Sequence, residues 1–357
     1  MTFYDRDSRS ALEAQGHAQW IAFAPGVFQA ARVLCTSGLL ERVEKAGSNG
    51  LPLEEATRDS SLPAYSVRVL LEAGLGMGLV TLKDGRYAAT KAAWFLLHDS
   101  MTRANIEFMH EVNYRGYFEL EASLRTQEPR GLATLGPWET IYESLSALPP
   151  RTRDAWLAFD HYYSDLAFPA AWSLVRDHGA RRLMDVGGNT GKFARLCLSS
   201  DDRIEVTIVD LPGQLEMARR ALESLPPAAG ARVRFYGANL LAPSAALPVG
   251  HDAIWMSQFL ACFSEEQILS IFERCVAALA PGGKVFVLEP FWDRQRQSAA
   301  AFCLQQTSLY FTAIANGKSR IYTRDVMVGL ARSAGLEVVD EVDGIGSTHT
   351  LLTCTQR

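Results

Sequence analysis

A glycine-rich turn between an apolar segment and an amphipathic one constrains the fold of this chain more than any other feature. The turn lies in LMDVGGNTG, residues 183–191, and the helical pattern KFARLCLSS follows it directly. Glycines at such a junction permit positive φ angles and let the backbone approach a ligand closely. The stretch therefore predicts a β-strand, a ligand-binding turn and a helix, in that order.

Strand-like and helical segments alternate after Gly179, which indicates an α/β domain with a mainly parallel sheet. The strand candidates are RRLMDVG (181–187), RIEVTIVD (203–210), RVRFYGA (232–238), HDAIWMS (251–257), KVFVLEP (284–290), LEVVDEV (336–342) and LLTCTQR (351–357). We therefore expect a Rossmann-like α/β domain over residues 179–357.

Two common nucleotide-binding fingerprints do not match the turn. A dinucleotide site of the form G-x-G-x-x-G would need glycine where Asn189 and Lys192 stand. A phosphate-binding loop of the form G-x-x-x-x-G-K-[ST] is one residue longer, and Phe193 replaces the hydroxyl that would bind magnesium. The turn therefore belongs to another class of ligand.

Two aspartates indicate what that ligand contains. Asp185 comes just before the glycines, where a carboxylate suits the cationic part of an amino-acid-like ligand. Asp210 ends the next predicted strand, where an acidic side chain accepts hydrogen bonds from ribose hydroxyls. Together they predict a ligand that carries both an amino-acid part and a nucleoside.

The first 100 residues follow the order of a winged-helix module. Residues 18–45 have a helical pattern with an expected interruption at Pro25-Gly26, two shorter helices follow, and Asp84-Gly85 marks the turn of a hairpin. The segment in the position of a DNA-recognition helix, residues 64–75, carries one arginine and is mostly apolar. A DNA-reading helix needs several polar and cationic side chains, so we expect packing or dimerisation here.

Charge and composition exclude other classes of function. The net charge of −5 is unfavourable for a nucleic-acid-binding protein. The sequence has no apolar run long enough to span a membrane and no apolar core of a signal peptide near its start, so we expect a cytoplasmic protein. The six cysteines form no C-x-x-C pair, and we expect no metal site.

Several motifs resemble the S-adenosylmethionine-dependent O-methyltransferases of the caffeate and hydroxyindole type and their bacterial relatives. These motifs are LMDVGGNTG (183–191), VDLP (209–212), APGGKVFVLEP (280–290), DGRYAAT (84–90), SLRTQEP (123–129) and GKSRIYTRDVMVGLARSAGLEV (317–338). The resemblance covers nearly the whole chain. It implies a winged-helix-like dimerisation domain at 1–100, a helical linker and acceptor-binding segment at 101–178, and a class I methyltransferase domain at 179–357. The resemblance also implies a homodimer formed through the first domain.

The same resemblance implies how S-adenosylmethionine would bind. The three glycines would pass under the methionine part, Asp210 would hold the ribose, GANLL (237–241) would border the adenine, and an aromatic side chain in FDHYYSD (159–165) would face the sulfonium methyl. The implied cofactor residues are Tyr163, Asp185, Gly187, Gly188, Gly191, Asp210, Leu211, Asn239, Leu240 and Ser257.

The resemblance fails at the catalytic base. The family removes the proton of a phenol with a histidine in a Leu-His-Asp-Trp segment, and the matching run here is Leu260-Ala261-Cys262-Phe263. Ser319 stands where a supporting glutamate is usual, whereas Glu289 keeps its family identity. An alanine cannot accept a proton.

Four interpretations stay open. The base has moved, with His161 and His349 as candidates beside Glu289. Alternatively no strong base is needed, because the acceptor arrives ionised or is methylated on a ring carbon. The chain could instead be a non-methylating descendant that binds the cofactor, since a fold does not determine its chemistry. A DNA-binding regulator built on the winged helix is the remaining one.

The acceptor is expected to be small and aromatic. Residues 105–165 and 300–312 are dense in aromatic side chains and methionine, which would line an apolar pocket. Candidate lining residues are Met109, Tyr114, Phe302, Gln306 and Tyr310.

Overall fold

A computed structural model describes residues 3–58, 60–145, 147–346 and 348–357. The chain divides into two compact units, the first ending at Glu107 and the second beginning at Phe108. Residues 108–178 therefore belong to the same unit as the sheet. The sequence places the first boundary at 100/101, whereas a helix runs without a break from Ser100 to Phe108.

The first unit is mainly helical and carries a small antiparallel sheet of strand order β1-β3-β2. Asp84 and Gly85 turn between β2 and β3 with positive φ angles, so the predicted hairpin is confirmed. Its helices are α1 (Ala11–Thr36), α2 (Leu39–Lys45), α3 (Leu53–Arg58), α4 (Ala64–Gly76), α5 (Lys91–His98) and α6 (Ser100–Phe108). Its strands are β1 (Leu51–Pro52), β2 (Val80–Lys83) and β3 (Arg86–Ala89).

The interruption expected at Pro25-Gly26 is wrong. Helix α1 begins earlier than expected, after a capping box formed by Ser10 and Glu13, and continues through Pro25. The helical run breaks instead at Gly38, whose φ of 72° is incompatible with a right-handed helix. Proline lacks the backbone N–H that would donate within a helix, yet the residues on both sides of Pro25 keep the helical conformation in an exposed part of α1.

The second unit begins with helical segments and continues as an α/β domain. Its helices are α7 (Leu120–Thr126), α8 (Ile141–Ser144), α9 (Pro150–Asp177), α10 (Lys192–Ser200), α11 (Pro212–Leu222), α12 (Pro227–Gly230), α13 (Glu265–Ala278), α14 (Ser298–Tyr310) and α15 (Arg324–Ser333). Its strands are β4 (Arg182–Val186), β5 (Glu205–Asp210), β6 (Val233–Gly237), β7 (His251–Ser257), β8 (Leu279–Glu289), β9 (Leu336–Ile345) and β10 (His349–Gln356).

The large sheet has the strand order β6-β5-β4-β7-β8-β10-β9. Strands β4 to β8 pair in parallel, and β10 is antiparallel to both of its neighbours. The expected α/β fold and its strands are confirmed. Because the strand order reverses between β4 and β7, their carboxyl ends form the crevice where ligands bind in open α/β sheets.

Apolar side chains cover both faces of this sheet. Leu183, Trp255 and Leu351 pack with α9, α10 and α11 on one face. Met184 and Met256 pack with α13 and α15 on the other face. This alternation follows from the two-residue period of a strand, and it leaves the carboxyl ends as the place for polar side chains. Among the described residues, no helix combines the length and the apolar character needed to cross a membrane.

Candidate active site

The turn after β4, residues 187–191, is called the glycine loop below. Gly187 and Gly191 have φ angles of 74° and 73°, which glycine adopts without strain. A Cβ atom on Gly187 would lie 2.2 Å from the ring of Phe259, and one on Gly188 would lie 2.9 Å from the Asp185 carboxylate. These glycines are therefore required by the close approach of their neighbours.

We expect Gly187→Ala to weaken S-adenosylmethionine binding by about tenfold or more and to lower the melting temperature. The added methyl group meets the Phe259 ring and the residue keeps a strained positive φ. Gly179→Ala is the matched control, because Gly179 has a φ of 85° and no described atom within 4 Å of its Cβ position. Calorimetric titration and thermal melts measure both variants, and equal losses of affinity would contradict the assignment.

Asp185 is almost fully buried beneath the glycine loop, with 3% of its surface exposed. Its Oδ2 atom is buried and makes no hydrogen bond to any described residue. Burial, and then the negative charge of Asp210, raise the pKa of Asp185 to about 7. A buried carboxylate oxygen without a hydrogen-bond partner is costly, and a cationic ligand would supply the missing partner.

Asp210 ends β5 and faces the same loop. Its Oδ2 accepts a hydrogen bond from the Asn189 backbone N–H at 2.8 Å, and its Oδ1 accepts one from the Leu211 N–H at 2.7 Å. Burial raises the pKa of Asp210 to about 6, and these two backbone bonds lower it in part. The carboxylate is thus oriented by the backbone, with lone pairs left for hydroxyl donors of a ribose.

The residues expected around the adenine lie beyond β6. Asn239 is exposed, and its Oδ1 accepts a hydrogen bond from the Leu241 N–H at 3.0 Å. Leu240 is 6% exposed and packs in the core beneath the sheet. Ser257, at the carboxyl end of β7, has a buried hydroxyl without a hydrogen-bond partner among the described residues.

Buried carboxyl groups at this edge should make the stability of the ligand-free protein fall as the pH rises. The folded-state pKa values of Asp185 and Asp210 are about 7 and about 6, above ordinary values near 4. A carboxyl group with a raised folded-state pKa favours folding while protonated, so its contribution is complete below about pH 4 and is lost as the pH passes through about 6 to 7.

Thermal melts between about pH 5 and pH 8 measure this effect. The melting temperature should decrease over that interval and should decrease less in Asp185→Asn, which cannot ionise. A melting temperature that rises equally in both proteins would contradict the pKa directions.

Helix α9 contacts the glycine loop and the start of α10 through three polar side chains, and we name this set the α9 clasp. Asp160 Oδ2 accepts a hydrogen bond from Asn189 Nδ2 at 3.2 Å, and His161 Nε2 lies 3.4 Å from Thr190 Oγ1. The third contact is an ion pair of 2.5 Å between the Asp165 carboxylate and Lys192 Nζ. The clasp fixes one face of α9 against the predicted cofactor loop.

The next face of α9 belongs to an aromatic cluster. Trp156 Nε1 donates a hydrogen bond to the Tyr310 hydroxyl at 2.7 Å, and Phe159 stacks on Phe108 with ring centroids 3.9 Å apart. Tyr163 meets Phe159 edge to face at 5.3 Å. The aromatic cluster also contains Tyr142, Ala261, Cys262, Leu304 and Phe311. This apolar wall is suited to an aromatic ring.

Two of the expected lining residues differ in their positions. Tyr310 lies inside the aromatic cluster and is 4% exposed. Phe302 is 57% exposed, so its expected place in the lining is wrong: it lies on the solvent side of α14, while Ala301 and Leu304 lie on the buried side.

A 3₁₀ turn at Leu260–Cys262 carries Ala261 into the aromatic cluster. The Leu260 N–H donates a hydrogen bond of 2.8 Å to Glu289 Oε1. Burial raises the pKa of Glu289 to about 7, and hydrogen bonds from the backbone of this turn lower it in part. Ser319 donates its hydroxyl to Asn316 Oδ1 at 3.1 Å, so both side chains serve the local structure.

The two histidines predicted as bases have different surroundings. His161 belongs to the α9 clasp, and its Nδ1 lies 3.7 Å from the Asp165 carboxylate. Burial, and then the charge of Lys192, lower the pKa of His161. His349 begins β10, is fully buried, and has its pKa lowered to about 4 by burial, so it is neutral at pH 7. Whether either one acts as a base stays a prediction.

Sequence reasoning missed two residues in this region. Asp160 bonds to the glycine loop, although only its neighbours in FDHYYSD were predicted as site residues. Tyr142 is half-buried, and its buried hydroxyl interacts with the Cys262 thiol. A helical wheel of α9 could have found Asp160, because it shares a face with Trp156 and Tyr163. Nothing in the local sequence distinguishes Tyr142.

Comparisons with known proteins agree with this geometry. A family profile described as an O-methyltransferase domain matches residues 164–337, and one described as a Dimerisation2-like domain matches residues 15–87. Aclacinomycin 10-hydroxylase RdmB of Streptomyces purpurascens is 31% identical over 77% of this chain and 67% of its own length. The 3-hydroxy-5-methyl-1-naphthoate 3-O-methyltransferase of Streptomyces sahachiroi is 25% identical over 86% of this chain and 85% of its own length.

A solved structure shares the fold of nearly the whole chain. It is the S-adenosylmethionine-dependent methyltransferase SibL in its apo form, which matches with a TM-score of 0.71 and 26% identity. The match covers 95% of this chain and 98% of that one.

Proposed function

The chain belongs to the S-adenosylmethionine-dependent O-methyltransferase family, and from that premise we propose that it methylates a hydroxyl group of a small aromatic acceptor. The observation that carries this proposal is the glycine loop held between Asp185 and Asp210, beside an aromatic cluster on α9. One ligand class needs both a buried carboxylate for a cation and an oriented carboxylate for a ribose. S-adenosylmethionine supplies an electrophilic methyl group next to its sulfonium.

We assign the donor site to the residues that the family resemblance implies. Asp185 would meet the cationic part of the ligand, Asp210 would meet the ribose, and the Tyr163 ring would face the sulfonium. The remaining members of this set are Gly187, Gly188, Gly191, Leu211, Asn239, Leu240 and Ser257. Within the described residues no group of His, Cys, Asp and Glu could hold a metal ion.

The direct test is a panel of phenols, hydroxybenzoic acids and hydroxynaphthoic acids incubated with methyl-labelled S-adenosylmethionine. Label should enter at least one phenol, and mass spectrometry and NMR of the product then locate the methyl group on oxygen or on a ring carbon. A protein that binds S-adenosylmethionine but labels no member of the panel would contradict the proposal for this acceptor class.

A second candidate function is a reaction other than methyl transfer. Ala261 stands where the family has its base, Glu289 is bound by the backbone of the turn, and one similar protein carries the name of a hydroxylase. This candidate predicts that the acceptor gains an oxygen atom while the methyl label stays on the donor. The panel experiment separates the two by the mass of the product.

We propose a homodimer formed through the first unit. Helix α1 exposes large apolar side chains at Leu12, Trp20, Ile21 and Phe23, and the Dimerisation2-like profile covers this helix from residue 15. Exposed apolar side chains on one helix are characteristic of an association surface. In light-scattering measurements Trp20→Glu with Phe23→Glu should be monomeric, while Leu82→Glu, an exposed leucine on β2, should stay dimeric. Dimers in both variants would contradict this surface.

We further propose a cytoplasmic location and no nucleic-acid partner. The described cysteines are free thiols, which supports a reducing compartment. Helix α4 exposes Tyr65 and Val69, which supports packing over DNA recognition.

A further inference from the structure

An acceptor hydroxyl must lose its proton during methyl transfer, and Ala261 cannot take it. Four carboxyl groups on the segments around the glycine loop and the aromatic cluster could: Asp160, Asp185, Asp210 and Glu289. Glu289 is bound by the backbone of the 3₁₀ turn, and both Asp210 oxygens accept backbone N–H groups. Asp185 lies on β4 beneath the glycine loop, where we assign it to the cationic part of the donor.

Asp160 differs from the other three in its position. It comes four residues after Trp156 and three before Tyr163 on α9, at the edge where the α9 clasp meets the aromatic face. One of its oxygens, Oδ2, accepts the hydrogen bond from Asn189 of the glycine loop. Its other oxygen has no hydrogen-bond partner among the described residues, and 25% of the side chain is exposed. An acceptor could therefore reach it.

The charge of Asp160 also acts on the aromatic cluster. Burial is the main cause that raises the pKa values of Tyr142, Cys262 and Tyr310 in the aromatic cluster, and the negative charge of Asp160 raises all three further. The carboxylate thus acts on the space that those three side chains border, while its hydrogen bond reaches the predicted donor loop. Asp160 therefore lies between the predicted donor loop and the aromatic cluster.

We propose that Asp160 is the catalytic base that accepts the hydroxyl proton of the acceptor, in place of the imidazole absent at Ala261. This rests on the proposed methyl transfer. The acceptor oxygen forms the new bond to the methyl carbon, the carbon–sulfur bond breaks with its electron pair remaining on sulfur, and the O–H proton passes to an Asp160 oxygen. The neutral carboxyl group later returns that proton to water.

The acid–base properties of the site support this role. Burial, and then the charge of Asp165, raise the pKa of Asp160 to about 7, while Asn189 and Lys192 lower it. A base is most effective when its pKa lies near the working pH. The other titratable groups facing it are His161 and Asp165 on α9, and Tyr142, Tyr310 and Cys262 in the aromatic cluster. Burial keeps Tyr142, Tyr310 and Cys262 protonated at pH 7, and the His161 ring lies against Thr190 of the glycine loop.

The test compares Asp160→Asn with wild type on the panel phenol that the wild type methylates fastest. Asparagine keeps an oxygen for the Asn189 hydrogen bond but cannot take a proton. We expect kcat/KM to fall about 100-fold or more, and the rise of the wild-type pH profile through about pH 7 to disappear. Affinity for S-adenosylhomocysteine, measured by calorimetry without any turnover, should stay within about threefold.

Two variants separate chemistry from structure. Asp165→Asn removes the carboxylate farther along α9 whose charge raises the pKa of Asp160, so the rise of the pH profile should move to lower pH without disappearing. Asn189→Gly removes the partner of Asp160 but permits the positive φ of 49° at that position. It should weaken the binding of S-adenosylhomocysteine and keep a rise in the pH profile, because Asp160 can still accept a proton. A structural role for Asp160 would instead make Asp160→Asn behave like Asn189→Gly.

The outcomes distinguish a wrong base assignment from a wrong proposed function. If wild type methylates a phenol and Asp160→Asn keeps both its rate and its pH profile, the base assignment is wrong and the function stands. A larger loss in His161→Ala than in Asp160→Asn returns the role to His161. If wild type methylates no phenol, the proposed function fails and the base assignment fails with it.

Discussion

Asp210→Ala should weaken S-adenosylmethionine binding by at least about tenfold, equivalent to about 1.4 kcal/mol or more. The substitution removes the proposed acceptor for the ribose hydroxyls, and hydrogen bonds to a charged group contribute about 1.5–3 kcal/mol each. It also frees the Asn189 and Leu211 backbone N–H groups that the carboxylate holds. The substitution therefore removes both the proposed ribose contact and the hydrogen bonds that hold the backbone at Asn189 and Leu211.

Asp252→Ala provides the matched control for this experiment. The Asp252 carboxylate likewise accepts two backbone N–H groups, those of Arg181 and Arg182, but it lies at the amino end of β7, opposite the proposed site. Calorimetric titration with S-adenosylmethionine measures both variants. If Asp210→Ala binds as tightly as Asp252→Ala, the ribose assignment is wrong.

Glu289→Ala should be the most destabilising single substitution in the site. The side chain is 2% exposed and accepts the Leu260 N–H at 2.8 Å, so its loss leaves buried backbone donors unpaired. Such a donor costs about 1–3 kcal/mol, and the cavity left behind adds to that cost. The 3₁₀ turn that carries Ala261 should lose its order, and turnover should fall with it.

Glu289→Gln tests whether hydrogen bonding or charge is responsible. Burial raises the pKa of Glu289 to about 7, so much of the carboxyl is neutral at that pH and a glutamine retains a carbonyl oxygen for the Leu260 N–H. Urea denaturation should give a loss of about 1 kcal/mol or less for Glu289→Gln and several-fold more for Glu289→Ala. Equal losses would show that the negative charge itself is needed.

The donor half of the site could be predicted from sequence because its determinants are local. Asp185 and Asp210 lie near the carboxyl ends of β4 and β5, whose apolar patterns identify them, and the glycine loop follows β4 directly. Parallel strands bring these carboxyl ends to one edge of the sheet.

The acceptor half could not be predicted in the same way, because its residues come from distant segments. Tyr142 on α8, Trp156 on α9 and Tyr310 on α14 meet through tertiary packing that no spacing encodes. Asp160 lay inside a quoted motif, yet its contact with Asn189 depends on how α9 packs on the loop. Likewise Pro25 marks a break only if local preference decides the length of α1.

The division of the site between the sheet edge and separate connecting segments bears on how this chain could evolve or be redesigned. The donor-binding loop depends on the order of β4, β5 and β7, whereas Ala261 and Ser319 lie on connections outside those strands. Substitutions on the connections can therefore accumulate without dismantling the donor pocket. A laboratory library confined to Ala261, Cys262 and the aromatic positions Trp156 and Phe159 would sample new acceptors and new reactions on a scaffold whose donor-binding loop is left unchanged.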